Sequence, residues 1–226
     1  MIIEHRGKRP IIDPSAYIAP NAVVSGDVTI AADTRVLYGA VITSEGAPVR
    51  IGKGNVIMEN AVIRAAGGRT RSFPVTIGDY ALVGPSAYVS GATLEYRAFV
   101  GARTVILNGS IIERNAAVTV GAIVHIQTRV PAETVVPLQH IVIGDPCKLF
   151  APSQADAILD ELMRRNFKSY VFDLSDEQIL AEHYVHSLGL HLQDRVLDAL
   201  GVANEPAAAA LPRTTSPRTT SRRKRS

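Results

Sequence analysis

Between Ile77 and Val136 an aliphatic residue returns at almost every sixth position. The series is Ile77, Val83, Val89, Leu94, Val100, Ile106, Ile112, Val118, Val124, Val130 and Val136, and only the step from Val89 to Leu94 is one residue short. Four places after most of them the side chain is small, as at Ala81, Ala87, Ala98, Ala116 and Ala122. A period of six fits neither an amphipathic helix nor a strand that alternates every second residue. It fits a solenoid of short strands, in which each hexad forms one flat face and turns its aliphatic residue inward. Three faces close one coil, and stacked coils share one apolar core.

The series begins earlier. Ile12, Ile18, Val24, Ile30, Val36 and Ile42 keep the spacing, then break at TSEGAPVR. It resumes at Ile51, Ile57 and Ile63 and breaks again over AAGGRTRSFPVT. Both interruptions are rich in Gly, Pro and charge, which predicts loops leaving the solenoid at a corner, where a site is expected. The period ends after Val142, at IGDPCKLFAP. Ser153 with Asp156 predicts a capping box, followed by a helical stripe of Ile158, Leu159, Leu162 and Met163 that ends near Asn166. A second helix is expected from Ser175 to the stop at Gly189, and a third from about His191 to Leu200. From Val202 the chain is Ala, Pro, Thr, Ser and Arg with repeated PRTTS, a composition that predicts disorder. The expected organisation is a β-solenoid over residues 10–150, helices packed on it over 151–201, and a basic tail over 202–226.

Charge changes the picture less than its total suggests. The chain has 24 basic and 21 acidic residues. Six of the basic residues and one acid, Glu205, fall within 202–226, so the body carries 18 against 20, about −2. Basicity confined to a tail argues against a nucleic-acid interface on the folded surface. The single cysteine, Cys147, excludes an internal disulfide and a cysteine metal cluster. No stretch has the length of a membrane span, and MIIEHRGKRP lacks the apolar run of a signal peptide, so a cytoplasmic protein is expected.

The segments VLYGAVI, IGKGNVIMENAVIR, VTIGDYALVGPSAYVSG and VVPLQHIVIGDPCKLF resemble the γ-class carbonic anhydrase-like branch of the hexapeptide-repeat left-handed β-helices, over about residues 10–150. The resemblance implies a mainly β, left-handed parallel β-helix that assembles as a homotrimer, with sites between protomers. It also implies a zinc or similar metal held by three histidines at the subunit boundary. Aligned by the hexads, those histidines fall on Arg64, Pro85 and Ser90. An Arg-Gly-Asp segment of the family falls on Thr43, Ser44 and Glu45, and a Gln-Asp pair on Met58 and Glu59.

Zinc catalysis uses about three protein ligands and a bound water whose pKa falls to roughly 7. Proline offers no donor, serine is a poor ligand and arginine stays protonated. No metal is therefore expected, and a guanidinium at Arg64 would repel one. Arg64 would instead pair with Glu45 or Glu59, or bind a small carboxylate or phosphate. Arg69, Arg71 and Ser90 complete that candidate set; the plainer reading is that the arginines only form ion pairs with Glu45, Glu59 or Asp79.

An alternative is acyl transfer from a coenzyme A thioester, a common occupation of hexapeptide-repeat trimers, with His125 as the general base. His125 follows inward Val124 at an outward position and shares a column with Arg64, Ser90 and Leu107. A relocated metal site at His183, His186 and His191 lacks a motif that fixes its further ligand, so surface histidines are expected there. Cys147 stands where the family's closing turn usually has Ala and reads as a small buried filler.

Overall fold

The computed structural model of the protein describes residues 1–67 and 71–175, with Glu177, Val185 and Gly189 beyond them. Short strands alternate with tight corners from Ile2 to Phe150 and sort into three sheets. The first face runs Ile2–Ile3, Val23–Ser25, Val41–Glu45, Val62–Gly67, Tyr88–Ser90, Val105–Ile106, Ile123–Val124 and Ile141–Ile143, all parallel neighbours in that order. Lys148–Phe150 folds back antiparallel on the last of them. The chain visits the other two faces in rotation, which makes it a parallel β-helix followed by short helices.

Register explains the hexads. Ile106 lies beside Val124, and Val124 beside Val142, each pair 18 positions apart. Across the two interruptions the separation grows to 21, for Ile42 with Ile63, and to 26, for Ile63 with Val89. The inward aliphatics thus stack in columns whatever the chain does between them, and Ile42, Ile63, Val89, Ile106 and Val124 are all fully buried. The small positions serve the corners. The third residue after an inward aliphatic takes a left-handed conformation, as at Asn60 (φ 57°) and Ser86 (φ 56°). The fourth donates its N–H back across the turn, Ala61 to the Met58 carbonyl and Ala87 to that of Gly84, each at 3.2 Å. Its side chain points into the buried corner, where Ala61 and Ala87 are no more than 1% exposed, so only a small group fits.

The interruptions differ from simple loops. Thr43, Ser44 and Glu45 extend their strand and pair with Arg64, Ala65 and Ala66. Ser72–Phe73 then returns antiparallel on Gly67 and Ala66. The added residues lengthen the ladder because pairing satisfies backbone groups that a loop over the apolar body would leave unmatched. Gly67 permits the close approach: a Cβ there would lie 2.8 Å from the Gly46 carbonyl oxygen.

Helix α1 covers Ala155–Met163 and helix α2 covers Phe167–Phe172. The capping box does not form. Gln154 is the N-cap of α1 without a side-chain cap bond, and its Oε1 accepts the Ala151 N–H at 2.8 Å. Of the apolar stripe, Ile158 and Leu162 pack against Ile143 and Phe150, whereas Leu159 and Met163 face outward. Only one side of so short a helix reaches the solenoid. The Lys148 ammonium bonds the buried Glu161 carboxylate and ties α1 to the closing strand. Helix α2 lies in a stretch where the pattern predicts an interval between helices; Asn166 starts it by accepting the Ser169 N–H at 3.2 Å. The helices expected from Ser175 to Gly189 and from His191 to Leu200, and the tail over 202–226, fall almost wholly outside the described residues. No helix among the described residues is long and apolar enough to cross a membrane.

Replacing Ile63 with Ala removes one member of a continuous column and leaves a void between two coils. The expected loss is about 2–5 kcal/mol of unfolding free energy, read as a lower denaturation midpoint in urea. A loss below about 1 kcal/mol would mean that the coils collapse onto the gap, contrary to a rigid stack.

Candidate functional site

Along each strand of the first face, the residue after the inward aliphatic points away from the core. This puts Ser25, Thr43, Arg64 and Ser90 in one row, joined by register from strand to strand. Leu107, His125 and Ile143 continue it, each following its stacked aliphatic. The row therefore changes from polar to apolar as it approaches the C-terminal helices.

Arg64 Nη2 donates to Glu45 Oε2 at 2.6 Å, and about a third of each side chain stays exposed. The extension of the strand past Thr43 makes the contact, because Glu45 lies opposite Ala66 and its carboxylate reaches back along the ladder. Burial works to lower the Arg64 pKa, but the hydrogen bond and charge of Glu45, with Tyr88 beside it, outweigh burial and raise it. Tyr88 was not among the residues singled out from sequence, although strand alternation puts it on the same outward side as Ser90. Ser90 itself is 2% exposed and lies against Arg64 in register. Glu59 forms no side-chain ion pair among the described residues; its carbonyl accepts the Ser86 N–H at 2.8 Å. Pro85 stands at a corner of another face, after Leu82–Val83, and its carbonyl accepts the Arg103 N–H at 3.0 Å.

Arg71 belongs to a different cluster. Its Nη1 donates to the Tyr170 carbonyl at 3.0 Å, and its guanidinium lies 5.1 Å from the centre of the Tyr170 ring. The same ring meets Phe73 edge-on, with centroids 5.2 Å apart. Gly109 makes room for it, since a Cβ there would come within 2.3 Å of Tyr170 Oη. Arg71 thus fastens α2 to the long insertion. Arg69 lies outside the described residues.

His125 stands in the outward row but is not open to solvent. It is 7% exposed, and the Phe167 ring of α2 covers it at a centroid distance of 6.0 Å. Its Nδ1 is buried without a hydrogen-bond partner. Burial, followed by the charge of Arg165, pushes its pKa below the ordinary histidine value. The ring was expected to face outward as a base; α2, which the periodicity did not disclose, closes over it. Cys147 packs half-buried against the core, and burial raises its thiol pKa, the opposite of thiolate activation. Among the described residues, no three His, Cys, Asp or Glu side chains come together as a metal site. His183, His186 and His191 lie outside them.

Comparison with known proteins gives several relatives. The protein named gamma carbonic anhydrase 1, mitochondrial, of Arabidopsis thaliana is 35% identical over 127 residues, covering 55% of this chain and 46% of that protein. A carbonic anhydrase of Geobacillus kaustophilus is 31% identical over 108 residues, covering 48% of this chain and 57% of that one. Dynactin subunit 6 of Xenopus tropicalis is 30% identical over 143 residues, covering 60% of this chain and 68% of that one. The chain spans about half the length of the plant relative. No family model matches it.

The covered histidine has a consequence for acid stability. With its pKa lowered in the fold, His125 is neutral there at pH 7, while the unfolded chain takes up a proton near the ordinary value of about 6.5. Below that value the unfolded state binds more protons, so His125's contribution is present above about pH 6.5 and is lost as the pH falls toward the folded-state pKa. His125→Leu is expected to narrow the difference in melting temperature between pH 7.5 and 5.5. An unchanged difference would show that the ring titrates as if solvated.

Proposed function

We propose that this chain, which belongs to the γ-carbonic anhydrase-like branch of the hexapeptide-repeat left-handed β-helix superfamily, is a metal-independent trimeric scaffold of that branch. The observation that carries this reading is the 2.6 Å bond between Arg64 and Glu45. At the aligned position where the resemblance implies a histidine ligand, a fixed positive charge is already neutralised by a carboxylate from the neighbouring strand. The residues present do not fit a zinc ion: Ser90 is a poor donor, Pro85 has no side-chain donor, and Arg64 brings a like charge.

A small anion at Arg64 would have to exchange with Glu45, so the pair favours a structural use over a ligand site there. Acyl transfer with coenzyme A is disfavoured because Phe167 covers His125, which leaves the acceptor no approach to the candidate base. That the amphibian relative is named as a subunit of dynactin supports an architectural role. The trimer rests on the resemblance, and its protomers would meet along the β-helix. The proposed compartment is the cytoplasm; the plant relative is named mitochondrial, and cell fractionation decides between the two.

Elemental analysis of the purified protein is expected to find transition metal far below one atom per chain. A carbon dioxide hydration assay should run at the buffer rate, and light scattering should give the mass of three chains. Stoichiometric metal with hydration activity would overturn the reading, and a monomer would remove the scaffold. Arg64→Ala should lower stability by only about 1 kcal/mol, because the pair is partly exposed and solvent screens it. A hydration activity that appears or disappears with Arg64 would instead mark a catalytic use.

A further inference from the structure

Beside the Arg64–Glu45 pair, the N-terminal segment folds over the first face and borders a half-open cavity of about 170 Å³. One wall is His5, Arg6 and Lys8; the other is Asp27, Ser44 and the turn at 46–48. His5 and Lys8 exchange backbone hydrogen bonds of 2.9 and 3.1 Å around Arg6 and Gly7. Both central residues are left-handed, at φ 52° and 67°, as in a two-residue type I′ turn. Such a turn favours Asn, Asp or Gly at its first central position, so arginine is there for its side chain and not for the bend.

That side chain is out of balance with its surroundings. Arg6 Nε and Nη1 are buried and have no hydrogen-bond partner. Burial lowers the Arg6 pKa, and only the nearby charge of Glu45 opposes this. Both carboxylates of the neighbourhood are already engaged, Glu45 by Arg64 at 2.6 Å and Asp27 by Arg50 at 2.7 Å. Lys8 has no ion-pair partner among the described residues. Ser44 is no competitor, since its hydroxyl donates to the Ala47 carbonyl at 2.8 Å and so holds the far wall in shape. Arg6 and Lys8 thus line one cavity, and beside it two guanidinium donors are buried and unpaired. Buried charged donors left unpaired are among the costliest features a fold can carry.

We propose that this cavity is a binding site for a phosphate-class oxyanion, held by the Arg6 guanidinium fork and by the Lys8 ammonium at the rim. A phosphate monoester carries about −1.5 to −2 charges near pH 7, which matches two neighbouring cations better than a single carboxylate does. Arginine donors suit its oxygens in a paired geometry, and lysine adds a mobile point charge. The site goes beyond the scaffold reading and needs neither the trimer nor the state of the Arg64 position.

The test is calorimetric titration of the full chain with inorganic phosphate at pH 7, with sodium chloride at matched ionic strength and acetate as controls. Saturable phosphate binding is expected, absent with chloride and much weaker with acetate. Arg6→Asn keeps a residue the turn accepts and should weaken binding by about tenfold or more, and Lys8→Gln by about threefold. Without phosphate, Arg6→Asn should melt at or above the parent temperature, because two buried, unpaired donors have gone. Phosphate that binds no better than chloride, or an Arg6→Asn protein that binds it as the parent does, would overturn the site. Acetate binding as tightly as phosphate would overturn the dianion assignment. A lower melting temperature for Arg6→Asn with phosphate affinity retained would make Arg6 a purely structural residue.

Discussion

Each coil of this protein is held by the need to stack one inward aliphatic on another at the spacing of neighbouring strands. Strands of two or three residues contribute few ladder hydrogen bonds apiece and would not persist alone. They persist because Val24, Ile42, Ile63, Val89, Ile106, Val124 and Val142 form one column on the first face, with equivalent columns on the other two. The corners follow from that demand. A left-handed residue and a small buried one turn the chain sharply enough to begin the next face in register. Insertions are tolerated only where they restore the column afterwards, as the separations of 21 and 26 residues do.

A surface built this way offers chemistry in rows. Every outward residue next to a stacked aliphatic has a fixed neighbour on the strand above and below, so a change at one position is felt by its row. Arg64 between Thr43 and Ser90 shows the effect. A guanidinium in this row requires a carboxylate within reach, and the lengthened strand delivers Glu45. Farther along, the row turns apolar and ends beneath α2, where His125 is kept neutral by Phe167 and Arg165. Polar and covered ends of one row therefore have different electrostatics on the same backbone.

The two ends of the solenoid are completed in different ways. At the C-terminal side, α1 is seated by Ile158 and Leu162 and tied by Glu161 to Lys148, while α2 is clamped between Arg71, Phe73 and Gly109. At the N-terminal side, the turn at Arg6 and Gly7 lies over Ser44 and the turn at 46–48 and brings positive charge to a place where the carboxylates are already paired. The first seal is chiefly apolar. The second leaves a polar space.

The periodic residues by themselves determined the solenoid, its three faces, its inward columns and its small corner positions, because those contacts repeat locally and each hexad writes its own share. The family resemblance, aligned by the hexads, offered Glu45 and Glu59 as possible partners of Arg64. Only the tertiary structure decided that Glu45, and not Glu59, takes Arg64, and that the interruptions lengthen strands. It alone brought Arg71 to Tyr170, 99 positions away, and closed Phe167 over His125. The charge imbalance around Arg6 was likewise unreadable in MIIEHRGKRP, because it depends on which carboxylates two other strands have already committed. Such contacts join segments that share no period, and no spacing along the chain encodes them.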